Sequence, residues 1–398
     1  MKKKITIIIS ALATVALTVA VILLAMGPFD ARGLEYTVNE DGVTCTVTGV
    51  GSCRAGKVDI PEYMDGYRVT AIGKNVFYNY GIPKSKNDEI AVGTEPKKSK
   101  LKEITIPESV TSIGAGAFYG CNQLKTVKLP SSLEHLGNAV FYNCTSLNEI
   151  VLPQALKTMG WGVFYNCPKL ESVTIPDAIT TIGDGMFYGC ESLKSVHFSQ
   201  DVTDIGSHAF YGCASLEEIT LPRGVTEIDD WMFAHCASLR RITVLGALTR
   251  IGDRSFSSCA SLEAIEIPDG VTYVGMYSFF ECKKLTEVVL PDSVTELGVY
   301  AFDHCSGLTS VKLSASLTAL GQRTFNECTA LKEITVPSSV KKIESAVFVN
   351  SAITDFRYAG TAEAWGKIEK SSTWNSLVDF TQVVCTDGSV SLTSQAEN

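Results

Sequence analysis

A chain of 398 residues that is 45% hydrophobic and 19% charged is too apolar to be disordered over most of its length. Its net charge of −9 argues against nucleic acid as the main partner, because phosphate binding needs clustered Lys and Arg. Length alone suggests two or three globular domains, a prior that fails if the chain is a repeat array growing by stacking.

The chain opens on Met1-Lys2-Lys3-Lys4, followed by an uncharged stretch from Ile5 to Phe29 that Asp30 ends. Lysines before an apolar run mark an export signal, and residues 1–33 read as a signal peptide or an N-terminal membrane anchor. The run is long for a cleavable signal and reaches the roughly 20 residues that span a bilayer. Ala25-Met26-Gly27 offers a small-x-small cleavage site, while Pro28 makes a poor first mature residue. Both readings stay open, and both place the rest of the chain across the membrane.

Residues 34–57 read as an N-terminal cap. Tyr36–Val38 and Val43–Val47 flank Asn39-Glu40-Asp41-Gly42, a hairpin signal. From 58 to 352 the chain repeats. Phe recurs at 118, 141, 164, 187, 210, 233, 256, 279, 302, 325 and 348, always 23 residues apart, and Leu101 through Leu331 keep the same period. The unit is Leu-x-x-(Ile/Val)-x-(Ile/Leu)-Pro-x-x-(Val/Leu)-x-x-(Ile/Leu)-Gly-x-x-x-Phe-x-x-Cys-x-x. An incomplete copy (Val58, Ile60, Pro61, Val69, Ile72, Gly73, Phe77) precedes the array, and a polar, lysine-bearing insertion at 81–100 follows it. Beyond Phe348 the register slips by one at Ile353, and residues 353–398 form a C-terminal cap and tail.

In each unit Ile104 and Ile106 alternate with polar neighbours, the pattern of a half-buried strand that Pro107 ends. Val110 and Ile113 turn inward, Gly114 bends the chain, and a short helical turn returns Phe118 to the core. One unit cannot bury its own apolar edge, but stacked units share a continuous core. The expected architecture is one long parallel sheet with short helical turns on the opposite face.

The unit, with its Ile-Pro, Ile-Gly, Phe and Cys landmarks, resembles the BspA-like leucine-rich repeats of bacterial surface proteins. The leading hairpin and the Tyr358-Ala359-Gly360-Thr361…Trp365…Cys385-Thr386-Asp387-Gly388 tail look like that family's ends. The resemblance covers roughly Leu34 to Val390. It implies an α/β solenoid, a right-handed superhelix with hairpin-type caps at both ends. It also implies a secreted or cell-surface module presenting an extended surface for protein or glycan binding. The alternative is a structural or scaffolding component of the producer's own envelope. Membrane contact would come through residues 5–29 if they are uncleaved. Ser199, Leu245 and Ser314 replace the repeat proline, and Asp229 and Glu344 replace the glycine.

Thirteen cysteines in an exported chain invite a disulfide reading, yet ten lie on the repeat, where equivalent side chains sit about one strand spacing apart, too far for a bridge. A row of buried thiols is expected instead, with Cys45 and Cys53 left as a candidate disulfide in the first cap. No metal-ligand spacing and no cofactor motif stands out. Of the five histidines, His208 and His235 lie on adjacent units. Glu217, Glu218, Glu263 and Glu266 suit a solvated sheet face better than acid/base work, so no catalytic residue is assigned. Two binding candidates follow. One is the exposed strand centre, where Lys128, Thr174, His197, Thr220, Thr243, Glu266 and Lys312 fall. The other is an aromatic row beside the core Phe: Tyr119, Tyr142, Tyr165, Tyr188 and Tyr211, with Trp231 covering the turn where Ala234 follows.

Overall fold

A computed structural model of the chain describes residues 33–53, 56–78 and 99–392. The export segment expected at 5–29 and most of the insertion at 81–100 lie outside them. Among the described residues no helix is long and apolar enough to cross a membrane.

The 23-residue period becomes one coil of a solenoid, and equivalent residues of successive coils stack in register. Glu218–Leu221 pairs in parallel with Arg241–Val244, each residue meeting the one 23 positions on. The Leu, Ile/Val, Phe and Cys columns all point inward, and Phe77 and the ten phenylalanines from Phe118 to Phe325 have no solvent exposure. Their rings form one stack with centroids 5.2–5.9 Å apart. The core is therefore a rod of aligned columns, as the stacking argument requires.

Two expectations need correction. The parallel sheet is not single. A second run of two-residue strands lies where the (Val/Leu)-x-x-(Ile/Leu)-Gly segment was read as a bend. Ser112–Ile113 pairs with His135–Leu136, and Arg250–Ile251 with Tyr273–Val274, so each coil contributes to two parallel walls. In most of these pairs an outward residue, among them Ser112, Thr181, Asp204 and Lys342, precedes a buried Ile, Leu or Val.

Nor is the third face helical. Gly116, Phe118 and Gly120 N–H groups donate to Asn138, Val140 and Tyr142 of the next coil at 2.7–3.0 Å. The intervening Ala117, Tyr119 and Cys121 N–H groups reach back three residues within their own coil. An α-helix needs four-residue bonds along one segment. Here every second donor leaves the coil, which requires a left-handed residue on each side of the Phe. Gly116 (φ +63°) and Gly120 (φ +72°) supply it, and Trp231 (φ +60°) and His235 (φ +62°) occupy the same two posts further on. The fold is a parallel β-solenoid, and among the described residues helix is confined to Ala362–Gly366.

At the start, Glu35–Val38 and Thr44–Gly49 form an antiparallel hairpin whose second strand pairs in parallel with Tyr67–Ile72. The five residues added to the incomplete copy fold into a tight hairpin, Tyr63–Met64 against Arg68 and Tyr67, through Asp65 and Gly66, both with positive φ. At the far end Asp355–Tyr358 continues the first wall with the one-residue slip, pairing with Glu333–Val336. Phe356, Trp365, Trp374 and Phe380 then close the Phe stack. Gln382–Cys385 and Gly388–Ser391 finish the chain as an antiparallel hairpin.

The repeat cysteines are thiols, fully buried, and each from Cys144 to Cys328 donates its S–H to the Phe carbonyl of the preceding coil at 3.1–3.3 Å. In the first cap Cys45 and Cys53 are both buried, and the Cys45 thiol donates to the Tyr67 carbonyl at 3.7 Å.

Candidate binding surfaces

The first wall presents one outward residue per coil at the strand centre. Thr105, Lys128, Val151, Thr174, His197, Thr220, Thr243, Glu266, Val289, Lys312 and Thr335 are all exposed, each between two inward-facing residues. Register brings them side by side: Thr105 faces Lys128, Thr174 faces His197, Thr220 faces Thr243, and Val289 faces Lys312. Lys128 borders a shallow hollow of about 690 Å³ with Glu108, Glu149 and Val151, the last 73% exposed. Thr243 and Glu266 border a second hollow of about 310 Å³. Glu217, Glu218, Glu263 and Glu266 are solvated on this face.

The aromatic row is a second surface of different character. Tyr119, Tyr142, Tyr165, Tyr188 and Tyr211 stack face to face, centroids 4.2–4.6 Å apart and planes within 3–5°. Tyr119 and Tyr142 are buried and the other three are half-buried. Burial first, and neighbouring phenols second, push the Tyr165 hydroxyl up to about 12. The row is therefore a neutral column whose ring faces cover one another. With its ring faces covered and the Tyr119 hydroxyl buried, the row leaves no face between its members on which a sugar could stack.

The row ends at Tyr211, because Ala234 takes its place in the next coil. Ring coverage then passes to the position two residues before each Phe. His208 stacks on Trp231 (5.8 Å), the Arg254 guanidinium lies between Trp231 (4.7 Å) and Tyr277 (4.2 Å), Tyr277 stacks on Tyr300 (4.4 Å), and Arg323 follows at 5.9 Å. Trp231 is thus sandwiched rather than offered. His208 and His235 each contact Tyr211, at 6.0 and 5.1 Å between ring centroids.

Where the two columns overlap, a groove of about 460 Å³ opens. Its floor is Tyr142, Tyr165, Tyr188 and Tyr211. Trp161, 43% exposed, lies at one end and His208 with Trp231 at the other. Asp184 and Ser207 line its side, and Asp184 Oδ1 accepts the Ser207 N–H at 3.0 Å. Sequence reasoning identified the Tyr row and Trp231 but missed Trp161, Asp184 and the His208 stack. A signal existed for Trp161, since its column otherwise begins Ala115, Asn138, Asp184, Ser207.

Comparison with known proteins agrees with this geometry. A family model described as BspA type leucine-rich repeat region matches residues 97–213, 157–269 and 249–369. A leucine-rich repeat protein of Bacteroides ovatus has a solved structure 26% identical to the chain, with a TM-score of 0.67, over 87% of this chain and 97% of that one. A leucine-rich cell surface protein of Faecalibacterium prausnitzii is 27% identical with a TM-score of 0.57, over 85% and 97%. Among curated proteins none matches the chain.

Proposed function

The chain belongs to the BspA-type leucine-rich repeat family, and from that premise we propose that it is an extracytoplasmic binding module, secreted or held at the cell surface. It captures a protein or glycan on a cell or matrix surface and performs no catalysis. One observation carries the reading. The inward columns are nearly uniform in chemistry, while the outward first-wall column changes from Lys128 through His197 to Glu266 and Lys312, all exposed and in register. A solenoid wall of this kind recognises large partners by many modest contacts rather than one deep pocket. The Faecalibacterium relative, described as a cell surface protein, supports the location.

The test is capture. Full-length chain, solubilised in detergent and immobilised, is challenged with whole cells and matrix proteins. Saturable binding is expected, weakened when Lys128, His197, Glu266 and Lys312 are changed together to Thr, the residue most common in that column. Absence of saturable binding to any such surface would overturn the reading.

A further inference from the structure

The chain has four tryptophans, and the fold treats them in two ways. Trp365 and Trp374 are shut inside the C-terminal cap, 2% and 5% exposed. Trp161, 43% exposed, and the half-buried Trp231 reach solvent, and both border the groove floored by the tyrosine row. Trp231 lies 6.0 Å from Tyr211 between ring centroids. From Tyr211 the row runs back through four more rings at 4.2–4.6 Å, closer than the roughly 4.7–4.9 Å between neighbouring strands. These rings touch face to face. Phe118, Phe141 and Phe164, one residue away in each coil, are spaced more widely at 5.4–5.9 Å and carry no oxidisable hydroxyl.

We propose that the tyrosine row is a one-electron sink, which refills the groove tryptophans after an oxidising radical has taken an electron from them. The step balances. The oxidant gains one electron from the Trp231 indole and leaves an indole radical cation. Tyr211 returns an electron to that indole and releases its phenol proton to water in the groove. His208 stands there with its imidazole held neutral by burial, able to take the proton up. The products are an intact indole, a tyrosyl radical and one proton. Each further exchange moves one electron and one proton from a neighbouring phenol to the radical, so the radical passes along the row. Charge sets the direction. The Arg254 guanidinium lies 4.7 Å over Trp231 and repels a positive hole there. The groove lining has no Lys or Arg and carries Asp184. Burial raises the Tyr165, Tyr188 and Tyr211 phenols, so the row stays un-ionised at neutral pH until it is oxidised. Such a sink keeps the exposed indoles intact in an oxidising exterior. It requires no partner, so it stands apart from the capture reading.

The experiment exposes full-length chain in detergent to azide radicals made by a pulse of ionising radiation, and follows indolyl and phenoxyl absorbance. Indolyl loss and phenoxyl growth should share one rate that does not change with protein concentration. In a variant with Tyr119, Tyr142, Tyr165, Tyr188 and Tyr211 all changed to Phe, the growth should be lost while the indolyl radical persists. Phenylalanine keeps the rings, and the Tyr119 hydroxyl has no hydrogen-bond partner to lose, so the variant is expected to fold. An unchanged melting temperature checks this. A single change, Tyr211→Phe in a Trp161→Phe background, isolates the step fed by Trp231 and should slow it. Phenoxyl growth at the wild-type rate in both variants would overturn the proposal, because other tyrosines would then be filling the indoles. So would a rate proportional to protein concentration, which would place the transfer between molecules.

Discussion

Ala346 holds a left-handed backbone, φ +57°, at a post that glycine fills in three earlier coils. An L-residue there costs roughly 1–2 kcal/mol, partly offset by the entropy glycine adds to the unfolded chain. Ala346→Gly should therefore stabilise by about 0.5–1 kcal/mol, read as a raised melting temperature. A lowered one would mean that the Ala346 methyl contributes packing the half-buried position does not suggest. His208, another left-handed residue, is harder to protonate than an ordinary histidine. Burial holds its pKa down, against the pull of Asp184 and Asp230, while Tyr188, Tyr211 and Trp231 pack on its ring. The unfolded chain takes up a proton near the ordinary value of about 6.5 before the folded one does. The contribution is present above that pH and lost as pH falls below it. Melting temperature should drop less between pH 7.5 and 5.5 in His208→Asn than in wild type, and an identical drop would show that the imidazole is not desolvated. None of this was legible beforehand. The two left-handed posts of each coil carry Gly, Ala, His, Trp, Arg, Tyr, Asn, Ser and Glu, so no residue type advertised them.

Within a coil, sequence reasoning succeeded where a column is chemically uniform and failed where backbone bonding decides. Phe, Leu and Cys at fixed spacing meant burial, and they are buried. The Phe-bearing segment was read as a short helical turn, but its hydrogen bonds alternate between its own coil and the next, a choice made by the neighbouring coil. The second wall was missed because a two-residue strand has too few residues to show alternation. The cysteine column gives this level its prediction. Burial pushes the Cys121, Cys190 and Cys236 thiols up to about 12, and the other ladder thiols rise for the same reason. An unfolded thiol ionises near about 8.5. Between those values the folded state holds protons that the unfolded state has lost, so stability present below about pH 8.5 is lost as pH rises. Each buried thiol contributes a loss of about 1.4 kcal/mol per pH unit in that window. Alkaline unfolding should be steep above pH 9, and shallower in a Cys213→Ala, Cys236→Ala, Cys259→Ala variant. A native chain whose ladder thiols react with an alkylating reagent at pH 8 would contradict the burial.

At the scale of the whole molecule, each coil touches only its neighbours, so stability is a sum of coil and interface terms and damage need not spread. Where a cavity is made then matters as much as its size. Phe210 stacks on Phe187 and Phe233 at 5.5 and 5.4 Å and takes the edge of Phe198 at 6.1 Å, so Phe210→Ala opens both interfaces of a mid-array coil. The loss should be about 3–5 kcal/mol, the range for a large buried ring. Phe348 has a coil on one side and the cap rings Phe356 and Trp374 edge-on at 5.4 and 6.3 Å on the other. Phe348→Ala removes a similar volume but should loosen only the C-terminal end. Hydrogen exchange separates the two. In Phe210→Ala, protection should fall in the coils around 187–233, and thermal unfolding should divide into two steps as the rod breaks at its middle. In Phe348→Ala, protection should fall beyond about residue 325 while the coils from Leu101 to Phe210 keep theirs. If both variants instead lower protection evenly along the chain, the array unfolds as one cooperative body. The grooves and walls described above would then share a single stability, and binding at any one of them would stiffen all of them.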